Sequence, residues 1–144
     1  MFQEGDIVEI PLPDGRTAIG WILHLSERFK HAVGFVVFGV RGRQSDRVVY
    51  DPDTGTPLST RVLGPLYTHE ENIELSGWIK LAHQPLSQRG RLLTKREVGG
   101  GVFIGDDYIG TVEEVGDSNV KPMLSMGMPV IYSEIENAFA VESQ

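Results

Sequence analysis

The chain has 144 residues, a formal net charge of −7 and no cysteine. That excludes disulfides, thiol catalysis and cysteine-ligated zinc. It also runs against nucleic acid as a partner, which asks for clustered lysine and arginine. The length suits a single domain, residues 1–144, large enough to bury its own core, and seventeen glycines with eight prolines point to many turns and a β-rich fold. The first residues, Met1 to Asp6, carry neither the basic nor the apolar segment of a secretory signal. The longest apolar run, residues 32–40, is too short to span a bilayer. The expectation is a cytoplasmic protein with no membrane partner.

In chain order, Val8, Ile10 and Leu12 alternate as on a half-buried strand, and Asp6 and Glu9 stay off that face. Pro11 and Pro13 donate no backbone hydrogen bond, so this strand should lie at an edge or leave its ladder early. Pro13-Asp14-Gly15 is turn chemistry, and the returning arm places Ile19, Trp21, Leu23 and Leu25 on one face. Residues 32–40 are an almost unbroken β-branched and aromatic run, too short for an ordinary helix, and predict a strand buried on both faces. Residues 47–50 predict a short strand and residues 51–57 a loop. An extended stretch from Thr60 stops at Gly64-Pro65. Thr68-His69-Glu70-Glu71 resembles a capping box that opens a short helical turn.

Residues 78–81 predict a strand, and residues 84–90 a loop. Val98-Gly99-Gly100-Gly101-Val102 predicts a flexible connection. It lacks the Gly-Lys-Ser/Thr ending of a phosphate loop, and no helix is expected after it. Residues 102–112 predict a hairpin turning at Gly105-Asp106-Asp107. Residues 113–128 look irregular, Val130-Ile131-Tyr132 looks like a strand, and Ser133-Glu134-Ile135-Glu136 caps a terminal helix. The fold expected is mainly β, a β-rich α+β chain. It is a strongly bent antiparallel sheet or small barrel with one or two short helices, closure removing the edge that a proline-bearing first strand leaves.

Chemistry is sparsely marked. His24, His31, His69 and His83 have no metal-site spacing, and no serine sits in a G-x-S-x-G elbow. No catalytic, cofactor or metal residue is assigned, and no cofactor is expected. Acidic pairs recur in turns and at strand ends: Asp51 with Asp53, Glu70 with Glu71, Asp106 with Asp107 and Glu113 with Glu114. Solvated turns account for such pairs without a function. They also suit a basic partner protein, with Tyr67 or Tyr108 as an aromatic anchor at the centre of the contact. Trp21 and Trp78 read as core.

Gly5-Asp6, Ile10-Pro11-Leu12-Pro13-Asp14-Gly15-Arg16 and Gly20-Trp21-Ile22-Leu23 resemble the opening of the immunity protein 26 family of bacterial polymorphic-toxin systems. Gly64-Pro65-Leu66-Tyr67, Gly77-Trp78 and Gln84-Pro85-Leu86 follow in the similar order of that family's middle. The likeness covers roughly the first ninety residues, and the chain beyond Glu97 matches nothing in the family. The resemblance implies a small cytoplasmic protein that binds and neutralises a cognate toxin, with the matched residues as scaffold. Some members of the group carry an organophosphate-hydrolase label. That leaves a histidine–carboxylate metal hydrolase as the alternative, with a β-barrel ligand- or peptide-binding module as a third.

Overall fold

A computed structural model of the chain describes residues 2–29, 31–42, 63–117 and 120–139. The fold is β-rich. A five-stranded antiparallel sheet is joined by a three-stranded one and by four short helices among the described residues, and neither sheet closes into a barrel. The strand expected over 47–50 and the loop over 51–57 lie outside the described residues.

The first sheet is built from β1 (Asp6–Pro11), β2 (Thr17–Leu25), β3 (Ala32–Arg41), β4 (Leu63–His69) and β5 (Ile79–His83), in the order β4-β3-β2-β1-β5. β1 is therefore an interior strand, not an edge. Its one proline is accommodated because the β5 ladder ends at Glu9, while Pro11 pairs only with Thr17 of β2. The expected burial of residues 32–40 on both faces agrees with β3, which lies between β2 and β4 and is almost wholly buried.

The sheet buries both faces. Val8, Ile10 and Leu12 share the first face with Ile22, Phe35 and Leu66. That face is closed by Ile73 of α1 (Glu70–Leu75) and by Met128, Ile131 and Ile135 of α4 (Met128–Ala138). Ile7, Ile19, Trp21, Leu23, Val36 and Phe38 form the second face, covered by Ala82, Leu86 and Leu93. Leu25 departs from the expected alternation and packs on the first face. A bulge between Ile22 and His24 inserts one residue and reverses the side-chain direction beyond it.

β4 continues through Gly64-Pro65, where the sequence predicts a stop, with a slip in its register against β3 at that pair. Gly64 has φ +119° in front of a cis peptide bond, and a Cβ there would lie 2.9 Å from the Phe35 carbonyl oxygen. Among the described residues β4 has one strand neighbour, so the missing proline N–H breaks no interior ladder there. The following helix is capped by His69, whose Nδ1 accepts from the Glu71 N–H, and not by Thr68. Thr68 is buried and donates to the Met126 carbonyl.

The second sheet is β6 (Arg96–Val98), β7 (Gly101–Ile104) and β8 (Asp107–Thr111). Gly99 and Gly100, at φ +58° and +87°, make the two-residue turn between β6 and β7, so the glycine run is a hairpin and not a loose connection. The hairpin expected over 102–112 forms as β7 and β8. α2 (Gln88–Leu92) replaces part of the expected 84–90 loop, with Ser87 accepting from the Gly90 N–H as its cap. α3 (Val112–Val115) stands where irregular chain is predicted, with a full capping box between Thr111 and Glu114. α4 begins at Met128 behind Gly127, with proline in its first turn. The strand at 130–132 and the cap at Ser133 are thus replaced by one continuous helix. Among the described residues no helix is long and apolar enough to cross a membrane.

Candidate functional site

The segments that carry the family resemblance meet in space. Trp21 Nε1 donates to the carbonyl oxygens of Gly5 (3.1 Å) and Gln84 (3.0 Å). The Gly5 N–H donates to Ile22 and the Gln84 N–H to Gly5. Gly5 has φ +96°, and a Cβ would lie 2.7 Å from the Gln84 carbonyl oxygen, so glycine lets the two backbones touch. Asp6 beside it is fully buried and is held by His83, Lys80 and the Gln3 N–H. Burial raises the Asp6 carboxyl, and these donors outweigh it, leaving the group below its usual range. Trp78 packs edge-on against Phe35 in the first core. These residues fasten the sheet and offer little to a ligand.

The polar centre of the molecule lies where the two sheets meet. His24 is placed by the bulge in β2, and both its ring nitrogens sit 3.0 Å from carboxylates, Nδ1 from Glu4 Oε2 and Nε2 from Asp106 Oδ1. Both contacts are hydrogen bonds only when each nitrogen donates, which the imidazolium form does. Burial alone would lower its pKa; the two carboxylates overcome that and raise it. Asp106, at the β7–β8 turn, also accepts from the Ser26 hydroxyl and from the Glu27 and Arg28 N–H groups. Burial pushes its carboxyl up, these donors win, and it falls to about 2. Thr94 adds a second stitch, receiving the Gly105 N–H at 2.8 Å. A cleft of about 470 Å³ opens beside this network, with Ser87, Gln88 and the Arg91–Asp107 ion pair at its mouth. With both nitrogens donating, His24 has no lone pair for general-base work.

The remaining histidines are spread out. His83 binds Asp6, while His31 and His69 face each other at 6.2 Å near Glu70, away from the cleft. Among the described residues no group of three or more His, Asp or Glu is placed to hold a metal. The two histidines and a carboxylate that a metal hydrolase requires in a cleft do not come together in this one.

The described acidic and aromatic candidates separate into three groups. Asp51 and Asp53 lie outside the described residues. Glu70 and Glu71 open α1, with His31 3.4 Å from Glu70. Asp106, Asp107, Tyr108, Glu113 and Glu114 fall on one continuous stretch, the β7–β8 turn, β8 and α3. Within it Asp106 is consumed by the His24 network. Asp107 remains exposed beside Arg91, and Tyr108 and Ile109 are 53 % and 43 % exposed. Glu113 and Glu114 sit exposed on α3. Tyr67, by contrast, is 5 % exposed and pairs across the sheet with Gly34, where a Cβ would lie 2.7 Å from its ring. It presents no ring face to a protein partner.

Comparison with family models, curated proteins and solved structures returns no match.

Proposed function

We propose that the protein is an immunity protein, a stoichiometric inhibitor that binds a cognate bacterial toxin and occludes it. The observation that carries this reading is the edge of the second sheet. β8 has a single strand neighbour among the described residues and exposes Tyr108 and Ile109, flanked by Asp107, Glu113 and Glu114. An aromatic and an aliphatic anchor within an acidic rim suit a basic protein surface: the anchors supply affinity, and the charges supply encounter rate and selectivity. An edge strand can also add main-chain hydrogen bonds to an extended partner segment. The engaged nitrogens of His24 favour binding over turnover, and the resemblance of residues 5–23, 64–67 and 77–86 to immunity proteins names the class of partner.

Coexpression with the toxin encoded beside its gene tests this. The expected result is a 1:1 complex that co-elutes and abolishes the toxin's activity, with an association rate that falls as salt rises. Failure to bind any adjacent effector would overturn the proposal.

A further inference from the structure

Arg96 opens β6 and is 3 % exposed. Its Nη1 donates to the carbonyls of Thr94 (2.9 Å) and Gly105 (2.6 Å), and its Nε approaches Met123 Sδ. Its guanidinium carbon lies 5.4 Å and 5.2 Å from the ring centres of Phe29 and Tyr67. Among the described residues its Nη2 has no hydrogen-bond partner, and neither has the buried Tyr67 hydroxyl. No carboxylate stands within ion-pair distance of Arg96 among those residues. A buried cation whose nearest counter-charge, Asp106, acts only from beyond ion-pair distance, and buried donors without acceptors, are costly arrangements.

Both residues line one cleft of about 450 Å³ between β4, β6 and the stretch 121–126. Lys95 and Lys121 line it too, against a single carboxylate, Glu134. Lys95 is shared with Asp117 at 3.0 Å, and Lys121 is exposed. On a chain of net charge −7 this is a local reversal of sign. Pro65, Leu93, Pro122 and Leu124 supply an apolar wall. The volume and the mix of a few convergent polar groups with apolar lining match small-molecule sites.

We propose that this cleft binds a small organic phosphate, its phosphoryl oxygens received by the Arg96 guanidinium, the Tyr67 hydroxyl and Lys121, and its apolar body laid on the proline–leucine wall. A phosphate draws more from this set than a carboxylate does, because Arg96 and Lys121 both remain to receive it once Lys95 is shared with Asp117, and a second negative charge is rewarded. The Tyr67 hydroxyl keeps its proton throughout the neutral range, since burial pushes it up to about 12. The site lies apart from the β8 edge and does not depend on a toxin partner.

Titration of the ¹⁵N-labelled protein with phenyl phosphate, benzoate and inorganic phosphate at constant ionic strength tests the proposal. Saturable shifts are expected at the amides of Leu66, Tyr67, Arg96, Lys121, Met123 and Leu124. Phenyl phosphate should bind more tightly than inorganic phosphate, which lacks the apolar body, and more tightly than benzoate. Arg96→Gln also cuts the ties to Thr94 and Gly105, so Tyr67→Phe and Lys121→Gln carry the test. Each should weaken phenyl phosphate binding by about tenfold while the free protein's melting temperature stays level or, for Tyr67→Phe, rises. Three results would overturn the assignment: no saturable shift at millimolar phenyl phosphate, benzoate binding as tightly, or unchanged affinity in both variants.

Discussion

His24 holds Glu4 and Asp106 only while its ring carries both protons, and this makes the junction of the two sheets sensitive to pH. Its folded pKa is raised above 6.5, so its contribution to stability is complete below that value and fades as pH climbs through the folded pKa. Glu4 and Asp106 are lowered from 4.5 and 3.8, so theirs is complete above those values and fades as pH falls. Maximum stability therefore falls at mildly acidic pH, between the carboxylates and the histidine. Thermal melts of the wild type should decline as pH rises above about 6.5, and His24→Gln should be less stable at pH 6 but flatter as pH rises. Parallel curves would refute the coupling. None of this cluster is legible in the sequence. Its partners are 20 and 82 positions from His24, and no spacing rule links residues brought together by a bulge and a distant turn.

At the scale of elements, Gly90 makes a sharp test. It sits inside α2, where replacing glycine by alanine would ordinarily gain up to about 1 kcal/mol. Here a Cβ would lie 2.8 Å from the Trp21 ring, and that ring is pinned by two carbonyls. Overpacking costs about 1–3 kcal/mol and outweighs the propensity. Gly90→Ala should therefore lower the denaturation midpoint; a rise would show that α2 is not seated on Trp21. Thr111→Ala, which removes the cap of α3, should cost about 1 kcal/mol in the same measurement, and no change would mean that α3 frays already. The strands were legible because alternation and β-branched runs survive in one dimension, as at Val8, Ile10, Leu12 and residues 32–40. The helices were harder. The Thr111–Glu114 box was present in the sequence but followed by no apolar stripe. The Met128, Ile131, Ile135 stripe of α4 was masked by Val130-Ile131-Tyr132, which reads as a strand until its period is counted from Met128.

Across the whole molecule, sheet order was beyond the sequence. Pro11 asks by local rules for an edge or an early exit from the ladder, and the second occurs: β5 pairs only with the half of β1 that precedes the proline. Pairing is settled by which faces need covering, and both faces of the first sheet are apolar. The layout leaves two surfaces with different chemistry: a positively lined cleft around Arg96, and the acidic edge of β8 with Tyr108 and Ile109. The second is the surface proposed above for toxin binding. The most direct measurement is the affinity of the neighbouring toxin for the wild type and for Tyr108→Ala, by titration calorimetry, with melting temperatures taken on both. Tyr108 lies half in solvent, so its removal should leave the fold near wild-type stability, while a central aromatic contact should cost 2 kcal/mol or more, roughly thirtyfold in Kd. Wild-type affinity in Tyr108→Ala, or no complex with either protein, would contradict the assignment of the β8 edge as the toxin-binding surface.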